Sequence, residues 1–192
     1  MYNISYKSTN DKIIRNKNGM KFIKTSKNSY NLTFVIENKN ILLSKIVDFD
    51  LINLIYTLNQ DIYESVDIEK ISDNESNITL VMKKIGFDLI SQRYAFLNMT
   101  KHVNENTITF ISNTIKTSKP QNVNDKMELV TIHKIINKFE VLSPHKLHFE
   151  CDIIFNEDTQ IPSMADNILG IIINKIFIRV KTFIENIKYQ IK

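Results

Sequence analysis

Hydrophobic and polar positions follow one period through most of this chain and another at its end, and the switch comes near residue 160. Residues 147–155 read Leu-His-Phe-Glu-Cys-Asp-Ile-Ile-Phe, with apolar side chains on alternate positions, the pattern of a strand that buries one face. Beyond it, Met164, Ile168, Ile171, Ile172, Ile176, Val180, Phe183 and Ile187 recur at helical spacing. Pro162 suits a first helical turn, where its missing N–H would have had no partner, and residues 163–189 contain no further proline. The pattern predicts a long strand feeding a long terminal amphipathic helix over 163–189. Such a helix needs a sheet to lie against.

The rest of the chain supplies one. Residues 1–18 are weakly patterned, with a short helix predicted near 10–15. Strands are predicted at 20–24, at 29–37, and at the β-branched run 41–47. Asp48 caps a helix over 49–58, with Leu51, Leu54, Ile55 and Leu58 on its buried side. Strands 65–71 and 77–84 flank a turn at 72–76, and strands 92–101 and 107–115 flank another at 103–106. A polar loop, 116–125, leads to strands at 127–136 and 139–155, the last bent near Pro144. Sequential hairpins make an antiparallel sheet. The expected fold is therefore α+β: a curved antiparallel sheet wrapped around the C-terminal helix, with a hydrophobic tunnel left between them. A short N-terminal segment, 1–18, precedes a single domain, 19–192, without repeats or linkers.

Composition changes this picture little. Hydrophobic residues make up 43% and charged residues 24% of 192, ordinary values for a globular chain with a real core. The net charge of +4 comes from basic residues scattered among acids, which points to solvated faces and away from nucleic acid. Cys151 is the one cysteine, so no internal disulfide is expected and a reducing compartment suits the chain. No secretory pattern opens the sequence, and the apolar run 168–180 is broken by Asn174, Lys175 and Arg179. The expectation is a cytoplasmic protein, peripheral at membranes and monomeric.

Catalytic and metal chemistry find little support. His145, His148 and Cys151 stand three apart, and on a strand such residues point to opposite faces. The three glycines lie too far apart for a phosphate loop. No enzyme activity, metal or cofactor is expected.

Residues 158–167, Asp-Thr-Gln-Ile-Pro-Ser-Met-Ala-Asp-Asn, resemble the C-terminal signature of START domains, the StAR-related lipid-transfer family of the helix-grip, Bet v 1-like superfamily. The resemblance extends upstream. Tyr63 stands where the family has Trp, Arg93 and Tyr94 stand at its Arg-Asp, and residues 139–144 match its aromatic-x-apolar-apolar-x-Pro strand. His133 is the polar residue nearest the position of a family Arg. The resemblance implies a helix-grip fold, and a protein that holds and transfers one lipid, a phospholipid or a sterol-like molecule, with transient contact to a membrane surface.

Strand parity picks the walls of such a chamber. Arg93, Ala95, Leu97 and Met99 share one face, Ile78, Leu80 and Met82 form a matching wall, and Phe149, Cys151 and Ile153 form another. Met164, Ile168 and Ile172 on the terminal helix would close it, and the resemblance adds Asn167. Arg93 and His133 would meet a phosphate or carboxylate headgroup, or Arg93 would pair with Asp61 or Glu64. Three successive isoleucines, 171–173, cannot all face the chamber. Gly170 beside them favours local opening, and Lys175, Arg179 and Lys181 would reach anionic headgroups. Two alternatives stay open: a START-like or cyclase-like domain for a ligand not drawn from membranes, and an interaction module whose apolar residues are an ordinary filled core.

Overall fold

The structure, a computed structural model, describes residues 11–84, 92–115, 123, 127–159, 161 and 163–188, the side chains of 163 and 164 excepted. Among the described residues, ten strands and two α-helices follow in the order β1 (Lys12–Lys17), β2 (Met20–Ser26), β3 (Ser29–Glu37), α1 (Phe49–Thr57), β4 (Tyr63–Ser72), β5 (Glu75–Met82), β6 (Arg93–Asn104), β7 (Thr107–Thr114), β8 (Glu128–Leu129), β9 (Ile132–Ser143), β10 (Lys146–Phe155) and α2 (Ser163–Glu185). One sheet holds the strands in the order β1-β2-β3-β10-β9-β7-β6-β5-β4, antiparallel throughout, with β8 lying parallel beside the start of β6. It wraps around α2, the architecture expected from the order of hairpins and terminal helix.

Three expectations differ from the structure. The segment near 10–15 is no helix. It belongs to the first strand, paired to β2 through the two-residue turn Asn18-Gly19, where both residues have positive φ (57° and 71°). Asn-Gly is the pair that such a turn favours, because its twist matches that of the strands. Residues 41–47 form a 3-10 turn, Leu43–Ile46, in place of a strand. The sheet edge is already used up there, since Glu37 pairs with Lys146 at the end of β10. The buried Ile41, Leu43 and Val47 pack without a ladder, held by Leu43 N–H donating to Pro144 O at 2.9 Å. Finally, β9 runs unbroken through residues 137–138, and the chain reverses at Pro144-His145, so the predicted bent strand is a hairpin.

The helix α1 begins where Asp48 accepts from the N–H groups of Asp50 and Leu51, at 2.9 and 3.1 Å. Along α2 a stripe of Gly170, Asn174, Phe177, Val180 and Ile184 turns toward the sheet, while Ile171 is 53% exposed, as three consecutive isoleucines require.

Side chains clamp α2 along its length. At its start the buried Asp166 accepts from Lys24 Nζ (2.9 Å) and Tyr30 OH (2.8 Å), with Lys12 at 3.8 Å. In the middle, Asp61 binds both Lys175 and Arg179, and Asn59 Oδ1 accepts from Arg179 Nη1 at 3.0 Å. At its end, Lys181 donates to Val35 O (2.6 Å), and Asn38 donates to Ile184 O (2.6 Å) and Ile187 O (2.9 Å). The expected free cations are thus engaged within the protein: Lys175 and Arg179 by Asp61, Lys181 by Glu185. Gly170 also has a packing role. A Cβ added there would lie 2.7 Å from Ile14 Cγ2 and 3.5 Å from Phe22 Cδ1, so the helix sits closer to β1 and β2 than any side chain permits.

Candidate ligand-binding site

Register fixes which residues share the face turned toward α1 and α2, because directly opposed residues of paired strands lie on the same side. One row runs Phe34, Phe149, Phe139, Ile108. The next runs Leu32, Cys151, Asn137, Phe110, and the one after it Ile153, Ile135, Ser112, Met99, Ser76. Further rows run Leu97, Ile78, Ile68, then Ala95, Leu80, Val66, then Arg93, Met82, Tyr63.

The first row closes one end. Phe149 meets Phe34 and Phe139 at ring-centroid distances of 4.8 Å each and Phe177 of α2 at 5.2 Å. Phe110 links Phe139 (6.1 Å) to Phe49 of α1 (5.4 Å). This aromatic floor spans from α1 across the sheet to α2. Such contacts add about 0.5–1.5 kcal/mol each beyond area burial. At the other end, Tyr56 of α1 meets Tyr63 edge-on at 5.1 Å.

Most predicted wall residues fall between these ends. Leu80, Ala95, Leu97, Met99 and Cys151 are buried on the inner face, with Met82 half-buried beside them, and Phe149 belongs to the floor. Ile168 and Ile172 are half-buried on α2, Asn167 is exposed, and the side chain of Met164 lies outside the described residues. His133 is exposed on β9, away from this group. Arg93 stands at the rim, its Nη2 3.1 Å from Glu128 Oε2, so its partner is neither Asp61 nor Glu64. Of the histidines and cysteine spaced three apart, His145 binds Ile41 O at 2.8 Å, His148 faces Glu140, and Cys151 points inward. Two cavities outlined by described residues, of about 450 and 620 Å³, are surface grooves, one beside Lys181 and the other beside Phe183.

Sequence reasoning passed over the buried polar groups. Among the described residues Asn28, Asn31, Asn38 and Asn59 use their amides to hold loops, carboxylates and helix ends. The buried Ser76, Ser112, Asn137 and Asn174 make no side-chain hydrogen bond. Neither do the phenols of Tyr56 and Tyr63. Burial pushes the Tyr56 hydroxyl well above its usual range, with Tyr63 and Cys151 adding to it, and burial alone does the same to Tyr63. The Cys151 thiol is pushed up by burial and by Asp152 and Glu150. All three stay neutral at physiological pH. The signal available in the sequence was Ser76, Ser112 and Asn137 at positions where strand alternation calls for an apolar residue.

No family model matches the sequence, and no curated protein matches it either. Solved structures do. Human StAR-related lipid transfer protein 5 aligns with a TM-score of 0.70 over 92% of this chain and 87% of that one, at 14% identity. The lipid transfer and protein localization domain of human StarD13 gives 0.69 over 94% and 92%, at 9% identity. A fragment of the STAR-related lipid transfer protein of Xanthomonas axonopodis gives 0.60 over 91% and 98%, at 13% identity. The chain has the START fold. The residues Leu80, Ala95, Leu97 and Met99 lie in the rows between the aromatic floor and Tyr63, with Ser76 and Ser112 on either side of Met99. Among the described residues no helix is long and apolar enough to cross a membrane.

Proposed function

We propose that this chain binds one lipid between the inner face of its sheet and α2, and carries it between membranes as a monomer of the cytoplasm. The observation that supports it most is the wall of Leu80, Ala95, Leu97 and Met99, apolar and inward-facing above a closed floor, within a fold shared with lipid transfer proteins. A lipid chain laid along these rows exchanges water for apolar surface, worth about 25 cal/mol per Å². Exchange needs α2, or the stretch 116–125 that the sequence predicts as a polar loop, to part at a membrane surface. The clamps at Asp166 and Lys181 set what that opening must break.

A second reading, an interaction domain with a filled interior, is favoured by the aromatic floor, which takes up part of the space. Leu80→Trp and Ala95→Phe separate the two. In a chamber the added rings fit, so stability holds while lipid transfer between vesicles is lost. In a filled core the same rings overpack and cost about 1–3 kcal/mol. Loss of that size with no transfer by the wild type would overturn the lipid-binding reading.

A further inference from the structure

We propose that the open end of β3, at Val35–Glu37, is a docking site for an extended segment of another protein in which acidic and apolar residues alternate. The segment adds to β3 as a strand, displaces Lys181 and Glu185, and so loosens the end of α2. The proposal goes beyond the lipid-binding reading and does not depend on it.

The strands end unevenly here. β3 is paired to β10 as far as Glu37 but to β2 only as far as Thr33, because the chain turns back into β1 at Asn18-Gly19. Beyond Thr33 the outward backbone groups of β3 are met by side chains of α2. Val35 O accepts from Lys181 Nζ at 2.6 Å, and Glu37 N–H donates to Glu185 Oε1 at 3.4 Å. A donor and an acceptor set against one strand edge are what a neighbouring strand offers from its own backbone. Lys181 and Glu185, ion-paired one turn apart on α2, thus stand in for a strand. They can swing aside still joined, so an incoming backbone replaces both bonds and breaks no ion pair. Beside this edge runs the groove of about 450 Å³, with room for a short extended segment.

The groove also sets the partner's chemistry. Successive residues of a strand point to opposite faces. Phe34 lines the groove from the inner face, where an apolar side chain of the segment would lie. Lys21 lines it from the outer face, opposite Thr33. Lys21 is exposed and has no hydrogen-bond or ion-pair partner, whereas the acids of the groove, Glu37 and Glu185, are already held by Lys146 and Lys181. A carboxylate on every second residue therefore meets a free cation. The far edge of the sheet excludes the same segment. There β4 pairs only with β5, and its outer face carries Asp67 and Glu69, exposed and without a cation. Like charges placed opposite each other on neighbouring strands are unfavourable. Docking and the hold on α2 compete for the same two backbone groups, so each weakens the other to the same degree.

The test titrates the full chain into a fluorescein-labelled six-residue peptide alternating Glu and Val, blocked at both ends, and follows anisotropy. Saturable binding is expected, and none for the Lys/Val counterpart or for the Glu/Val peptide N-methylated throughout, which has no backbone donor. Lys21→Glu should weaken binding about two- to tenfold. Lys181→Met should tighten it about two- to tenfold, because the competing hydrogen bond to Val35 O is gone. Should Lys181→Met not fold, Glu185→Ala, which frees Glu37 N–H, takes its place. With peptide bound, the amides of Val35 and Glu37 should exchange hydrogen more slowly and those in the last turn of α2 faster. No binding by either the wild type or Lys181→Met, equal binding of the Lys/Val peptide, or no tightening in Lys181→Met overturns the docking site. Unchanged exchange in α2 overturns the loosening. Self-association of the chain without peptide, lost in Lys21→Glu, gives the edge to a second copy and overturns the proposed partner. All of these outcomes leave the lipid-binding reading untouched.

Discussion

Replacing Gly170 by alanine tests how tightly α2 is held to the sheet, because two effects of known size oppose each other there. In a helix interior alanine is favoured over glycine by about 1 kcal/mol. Against that, the new Cβ would stand 2.7 Å from Ile14 Cγ2 and 3.5 Å from Phe22 Cδ1. Ile14 is β-branched and Phe22 is buried in the core, so one strand must give way. Overpacking of this kind costs about 1–3 kcal/mol. The net effect of Gly170→Ala is therefore a loss of about 0–2 kcal/mol, and about 2–4 °C in Tm per kcal/mol for a chain of this size. In an Ile14→Ala background the near contact is gone, and the same substitution should stabilise by about 1 kcal/mol. Urea unfolding of the four proteins of this cycle, followed by circular dichroism, measures the reversal of sign. Equal effects of Gly170→Ala in both backgrounds would refute the close approach of α2 to β1.

The first turns of α2 should loosen in acid. Burial alone would raise the Asp166 carboxyl, but the hydrogen bonds from Lys24 and Tyr30 outweigh it and hold it below the usual range. A carboxyl depressed in the folded state gives stability that is full above its unfolded pKa, about 3.9, and lost as pH falls through the folded value. The difference in urea midpoint between wild type and Asp166→Asn should thus be constant near neutrality and shrink below about pH 4. Asp48→Ala should cost about 1 kcal/mol in the same assay, since it frees two N–H groups at the start of α1. Replacing Lys175 and Arg179 by Gln should lower stability by releasing Asp61, visible as a reduced Tm without lipid.

Much of the fold was legible in the sequence because each element announced its period. The helix at 163–185 and the strand at 146–155 follow directly from apolar spacing, and the Asp48 cap from a carboxylate before an apolar run. The first strand was missed although Asn18-Gly19 signals a hairpin, because its own residues, Lys12 to Lys17, alternate poorly at the sheet edge. The run at 41–47 looked like a strand because β-branched burial and strand pairing leave the same trace. Of the candidate site, parity alone put Leu80, Ala95, Leu97 and Met99 on one face of the sheet, and that face is buried. Parity says nothing of the ion-pair partners. That Arg93 binds Glu128, and that Asp61 serves Lys175 and Arg179, depends on segments brought together only by folding. His133 illustrates the converse, a residue chosen by analogy that the chain turns outward.

The most direct test of the central claim is the mass of the intact protein purified without detergent and sprayed under native conditions. The account predicts a species heavier than the bare chain by the mass of one lipid, lost on mild activation and absent in Leu80→Trp. A bare chain that takes up no lipid after incubation with vesicles, while its unfolding transition stays cooperative, would contradict it.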